Sequence, residues 1–291
     1  MKQAKREEIK LQAFLSSQFT EIVWIDTDNL PLADPNDLFD SVEYSISHAV
    51  FWSDLNKDHP DNAIWRFLAR PCNDEDWPAE TGQIVFDKRG NNGLNYAILL
   101  MSNHMMEDSE FYGNLMYGDK DTFRIGFYLL GLQYVKAPRV FSALGGYQIY
   151  GESTEENCGH TMMHYGLTPL SQSKNPSYHP KPAFAHMILT KHSSNFQLDK
   201  VFSHFSRPIL DKSDEPTLIR CPARWTGPCF AWELQGPDGL KGTPNGFEDG
   251  QGTITLDVRE AWRDENGRLR DQEIPEGLLA IQKAMVEINT S

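Results

Sequence analysis

The sequence predicts an α/β fold over residues 1–206, followed by an appended, irregular or β-rich lobe over residues 207–291. Two observations predict the first part. Short apolar runs of strand length alternate with longer amphipathic stretches up to about residue 190, the order expected when helices cover a sheet. Hydrophobic residues make up 40% of the 291 and aromatics 11%, enough to fill a substantial core. A third observation marks the lobe: beyond about residue 207 the chain turns rich in Gly, Pro and Trp.

Residues 4–19 read as a helix whose apolar side carries Ile9, Leu11, Phe14, Leu15 and Phe19. Residues 21–25 read as a buried strand that runs into Asp26-Thr27-Asp28-Asn29. Pro31, Pro35 and several acids make residues 29–40 a loop. Phe51-Trp52 and Trp65 to Leu68 are short aromatic-rich pieces, and a turn at 79–82 leads into the buried strand Gln83-Ile84-Val85-Phe86. Residues 94–106 and 122–135 read as helices. In the second, Phe123, Phe127, Leu130 and Tyr134 recur at helical spacing behind an N-cap at Asp121 or Thr122. From about residue 168 the chain reads as a surface excursion, then as a strand at 183–189. The lobe holds strand-like residues 229–234 and 253–258 and a closing helix near 275–288.

A formal net charge of −14 argues against nucleic acid, whose binding requires a basic footprint. An anionic ligand such as a nucleotide would need a local cation on so acidic a protein. No apolar stretch approaches the ~20 residues of a membrane span, and no apolar segment follows the charged N-terminus as a signal peptide requires. The four cysteines, Cys72, Cys158, Cys221 and Cys229, contain no Cys-x-x-Cys pair, so a zinc ribbon is unsupported. Cys221 and Cys229 either close a short disulfide loop in an oxidising compartment or remain buried thiols.

Four constellations carry chemistry. Asp26 and Asp28 follow an apolar strand, where ligands of open α/β sheets bind. Two carboxylates there can hold a hard divalent cation against phosphates, or simply end a strand in a solvated loop. In Glu80-Thr81-Gly82-Gln83, the glycine permits close backbone approach, and Glu80 and Gln83 offer a sugar acceptors and donors; an ordinary turn has the same composition. Asp119, Lys120 and Asp121 open a helix, where a carboxylate could face positive charge on a sugar ring and the lysine a phosphate. Among the histidines, His160 and His164 stand at i, i+4, a spacing that can share a helical face. Residue 161 is Thr rather than the Glu a zincin needs. His186, inside the apolar run 183–188, is either a core residue or a third metal ligand beside Asp26 and Asp28.

Several motifs occur in close order. They are Lys10-x-x-Ala13-x-x-x-Ser17-x-Phe19, Trp24-Ile25-Asp26-Thr27-Asp28-Asn29-x-Pro31, Asp34-Pro35, Leu38-Phe39-Asp40 and Val50-Phe51-Trp52-x-Asp54. Glu80-Thr81-Gly82-Gln83, Asp87-Lys88 and Gly118-Asp119-Lys120-Asp121-Thr122-Phe123-Arg124 continue the series. Together, over roughly residues 7–190, they resemble the fungal α-1,3-mannosyltransferases of glycosyltransferase family 71. The resemblance implies the GT-A (nucleotide-diphospho-sugar transferase) fold, a GDP-mannose donor, a glycan acceptor, Mn2+, retention at the anomeric carbon and membrane-anchored residence in the Golgi. It implies Asp26, Asp28 and His186 as metal ligands, and Lys10, Asn29, Gly82, Gln83 and Lys120 as substrate contacts. Glu80, Asp119 and Asp121 are implied near the reacting sugar.

Two departures carry expectations of their own. His48 stands where the family has glycine, and 25 residues precede Asp26 where a GT-A fold has its first βαβ units. The GT-A fold is therefore expected to be incomplete at its N-terminus, to expose a sheet edge, and to bind GDP-mannose weakly in this chain alone. A truncated, non-catalytic partner of full-length transferases is the companion reading. A haloacid-dehalogenase-type phosphatase also places Asp-x-Asp after a strand. Its Thr or Val two positions on is Leu30 here, and its later acidic motif would need an acid at Phe123.

Overall fold

The computed structural model describes residues 4–55, 58–72, 77–137, 143–150, 155–178, 180–189, 204–208, 223–225, 230–232 and 253–257. It is mixed α/β and divides into two compact units. Met1–Asp26, Pro35–Val140 and Leu167–His179 form the first; Thr27–Asp34, Phe141–Gly166 and Pro180–Ser291 form the second.

The first unit begins with α1 (Ala4–Ser16) and β1 (Glu21–Ile25). After β2 (Asn29–Pro31), which belongs to the second unit, come α2 (Val42–Ser47), β3 (Ala49–Ser53), α3 (Ile64–Phe67) and β4 (Ala79–Asp87). Then follow α4 (Leu94–Glu107), α5 (Ser109–Tyr112), α6 (Asp119–Leu129) and β5 (Val135–Lys136). Its sheet runs β1-β4-β3-β5. The central strand β4 is antiparallel to β1, with Ile25 opposite Gln83, and antiparallel to β3; β5 is parallel to β3. Every residue of β4 except Glu80 is buried, as expected of a strand flanked on both edges and covered by helices. Among the described residues β1 has one neighbour, so its outer edge carries no strand there.

Aromatic packing sets the distance between helices and sheet. The Phe14 ring on α1 stacks on Trp24 of β1 at 5.7 Å and meets Phe86 of β4 and Phe123 of α6 edge-on at 5.9 and 6.0 Å. Phe51, Ile84, Ile98, Leu99 and Phe127 complete this core.

Several sequence expectations change. The helix predicted over 4–19 ends at Ser16, whose hydroxyl bonds back to the Gln12 carbonyl at 2.7 Å. Its buried side is Lys10, Leu11 and Phe14, whereas Ile9 and Phe19 are 62% and 76% exposed. A lysine displaces isoleucine from the buried side because its ammonium finds partners there. Residues 79–82 are not a turn but the first part of β4, since the Gly82 carbonyl accepts the Asp26 N–H at 2.8 Å and extends the β1 pairing. Helix α6 starts at Asp119, with Gly118 rather than Asp121 or Thr122 at the cap. It stops at Leu129, ahead of Gly131 at φ +63°, and Val135 joins a strand instead. Helix α2 was not predicted. Its N-cap Ser41 accepts the Tyr44 N–H, and its C-cap His48 is left-handed at φ 55°. Glycine adopts that conformation freely, so His48 occupies a position whose backbone favours the glycine expected there.

The second unit is antiparallel. It contains β2, β6 (Ala143–Tyr150), β7 (Glu155–Tyr165), β8 (Pro182–His186), β9 (His204–Pro208), β10 (Ala223–Trp225), β11 (Phe230–Trp232) and β12 (Thr253–Asp257). The sheet runs β10-β11-β7-β6-β9-β12, and β8 joins β7 to β2. Residues 29–31 are therefore strand rather than loop, with Asn29 opposite His186 and Pro31 opposite Phe184. His160 and His164 lie on β7, where four residues span about 13 Å. The i, i+4 spacing that could share an ion on a helix cannot do so on a strand. Cys158 is disulfide-bonded; Cys221, Cys229 and the helix expected near 275–288 lie outside the described residues.

Phe14 joins α1, β1, β4 and α6, so Phe14→Ala is expected to cost about 3–5 kcal/mol of stability. Urea unfolding followed by tryptophan fluorescence checks this, because Trp24 lies against the deleted ring.

Candidate functional site

The site is built where β1 ends beside the start of β4. The Asp26 backbone is fixed by its bond to Gly82, and its side chain accepts the Trp24 indole N–H. Glu80 folds back to accept the Gly82 N–H at 2.7 Å. Lys10 reaches this corner from α1. Its Nζ donates to the Thr81 carbonyl at 2.8 Å and to the Thr81 hydroxyl at 3.2 Å. It also ion-pairs with Asp119 at 2.7 Å and with Asp26 at 3.3 Å. Burial by itself would lower the Lys10 pKa, but the flanking Asp119 and Asp26 carboxylates outweigh it and hold the pKa above the usual lysine value.

Three consecutive charges open α6, and each meets an opposite charge. Asp119 takes Lys10 and, at 3.4 Å, the Thr81 hydroxyl. Lys120 pairs with Asp54, which is buried just beyond β3, and lies 5.2 Å from the centre of the Tyr117 ring. Asp121 accepts the Tyr117 N–H at 2.7 Å and Arg124 at 3.1 Å, while Arg124 also grips Asp58. Desolvation pushes the Asp54 pKa up, opposed by Lys120 and reinforced by Glu80. Lys120 and Arg124 are both raised: desolvation, which lowers them, is overcome by Asp54 for the first and by Asp58 and Asp121 for the second.

In the second unit, β2 and β8 bring His186 to Asp28. The Asp28 carbonyl accepts the Met187 N–H at 2.8 Å, and His186 Nε2 lies 3.4 Å from Asp28 Oδ1. Asp26, Asp28 and His186 each offer a ligand atom, and these atoms lie within 4.8 Å of one another. Two carboxylate oxygens and an imidazole nitrogen make a donor set suited to a divalent cation of intermediate hardness.

Of the residues singled out from sequence, Lys10, Asp26, Glu80, Asp119 and Lys120 gather around the first residues of β4. Asp121 turns to Arg124 and the Tyr117 backbone. Asn29 and Gln83 are buried, and Gly82 contributes its backbone N–H and carbonyl. Sequence reasoning assigned no role to Trp24, Asp54, Asp58, Thr81 or Arg124. Asp54 and Arg124 do end two of the ordered motifs, Val50-Phe51-Trp52-x-Asp54 and Gly118 to Arg124, which was the available signal.

A protein-family model described as a mannosyltransferase matches residues 1–70 and 72–166, more than half of the chain. The match includes every residue around Lys10; His186 lies beyond it. No curated protein matches the chain.

Asp54→Ala would strand the Lys120 ammonium. A loss of about 2–4 kcal/mol is expected, toward the low side for a broken buried pair because Lys120 keeps a quarter of its exposure. The double variant Asp54→Ala/Lys120→Met should recover most of it, as read from thermal midpoints.

Proposed function

The chain belongs to this mannosyltransferase family and is a glycosyltransferase, and we propose that it moves mannose from GDP-mannose to a glycan hydroxyl, with Mn2+ and with retention at the anomeric carbon. The observation that carries the reading is the meeting of Asp26, Asp28 and His186 at the carboxyl end of β1. The donor set fits Mn2+, which accepts both carboxylate and imidazole ligands. Bound there, the ion would supply positive charge against the diphosphate and ease departure of the nucleotide.

The chain's own groups take the remaining tasks. Trp24 and Lys10 orient the Asp26 carboxylate. Lys120 spends one donor on Asp54 and has others for a phosphate oxygen. To Glu80 and Asp119 falls the role of facing a sugar ring that gains positive charge as the donor bond breaks. Asp121 braces the start of α6 through Arg124.

The finer assignment is α-1,3 transfer within glycosyltransferase family 71, on a GT-A fold in a fungal Golgi. It rests on the ordered motifs from Lys10 to Arg124. The Cys158 disulfide supports an oxidising compartment. No helix among the described residues is long and apolar enough to cross a membrane.

Transfer of radiolabelled mannose from GDP-mannose to a mannoside acceptor tests the reading. Activity should require Mn2+, vanish with EDTA, and fall at least about 100-fold in Asp26→Asn and Asp28→Asn. Transfer that survives EDTA would remove the metal, and failure with GDP-mannose would remove the donor.

A further inference from the structure

We propose that Lys10 is a positioning residue whose ammonium ties Asp26, at the end of β1, to Asp119, at the start of α6, and holds the two carboxylates as one unit. The catalytic consequence rests on the mannosyl-transfer reading; the clamp itself does not.

Lys10 lies on the buried side of α1 beside Leu11 and Phe14, and its side chain is 9% exposed. The aromatic core therefore sets where its stem begins. A lysine ammonium has three N–H bonds. Four acceptors share them: the Thr81 carbonyl at 2.8 Å, the Thr81 hydroxyl at 3.2 Å, Asp119 at 2.7 Å and Asp26 at 3.3 Å. None is left for a sugar or a phosphate, so the substrate contact that resemblance implies for Lys10 becomes a structural bond inside the site.

Asp26, Asp119 and Glu80 all act on Lys10. Carboxylates so close repel one another, and a single central cation lets them share a corner. Thr81 closes the ring by touching both Lys10 and Asp119 through its hydroxyl. One nitrogen thereby joins α1, β1, β4 and α6. Arginine, with a planar fork in place of three tetrahedral donors, would not reproduce this geometry.

The test uses Lys10→Met, Lys10→Arg, Asp119→Asn and Lys10→Met/Asp119→Asn in the full chain, with Lys10→Gln if the Met variant fails to fold. Mn2+ affinity is read by paramagnetic resonance of the free ion, beside thermal midpoints, kcat and donor KM. Lys10→Met and Lys10→Arg are expected to lower kcat roughly 10- to 100-fold, the cost of about an ångström of misplacement. KM for GDP-mannose should stay within about threefold, because no ground-state contact is lost. Mn2+ should bind Lys10→Met as tightly as wild type or more so, since a cation beside one ligand is gone. The double variant should lose no more kcat than the worse single one. A rise in KM alone, full activity in Lys10→Arg, or multiplicative losses in the double variant would each overturn the clamp. If the wild-type chain transfers no mannose, the proposed function fails separately. The clamp is then judged on Mn2+ affinity and thermal midpoints: non-additive effects of the two substitutions sustain it and additive ones sink it.

Discussion

An ammonium buried on the core side of a helix constrains everything around it. Lys10 sits in the row of side chains that packs α1 onto the sheet, where a charge without partners would cost several kcal/mol. The cost is offset only if anionic and carbonyl oxygens converge on it. The end of β1, the start of β4 and the first turn of α6 supply them. Phe14, one turn along α1, sets the spacing through Trp24, Phe86 and Phe123. Apolar packing and charge pairing thus specify the same arrangement, and the polar corner is held by the hydrophobic one.

The same logic repeats along α6. Asp119, Lys120 and Asp121 are consecutive, yet each is matched from a different place: by Lys10 from α1, by Asp54 beyond β3, and by Arg124 one turn on. A run of charges at a helix start is usually solvated and mobile in orientation. Here each is held by an opposite charge. Strand β4 passes through the middle, and Glu80 is its one incompletely buried residue.

Legibility in the sequence followed the range of the interaction. Strand β1 and helix α4 were read nearly to the residue, because an apolar run and an amphipathic repeat are local signals. Strand β2 was read as part of a loop because the prolines and acids of residues 29–40 are loop residues, and only β8 across the sheet makes 29–31 a strand. The His160/His164 spacing was weighed as helical, yet pairing with β6 and β8 makes that segment a strand. Lys10 was not counted on the apolar side of its helix, in keeping with the general rule for lysine. It is buried because of residues far along the chain.

By itself, the sequence determined the alternation of elements, an acidity that sets nucleic acid aside, and two carboxylates one residue apart at a strand end. These depend on neighbours a few positions away. Only the tertiary structure decided which charges face one another, because the partners are distant in the chain. Lys10 and Asp26 are 16 residues apart, Thr81 and Asp119 38, Asp54 and Lys120 66, and Lys10 and Thr81 71. No local pattern encodes such pairings; they arise when the aromatic core brings helix and sheet to a separation at which a buried cation can be balanced.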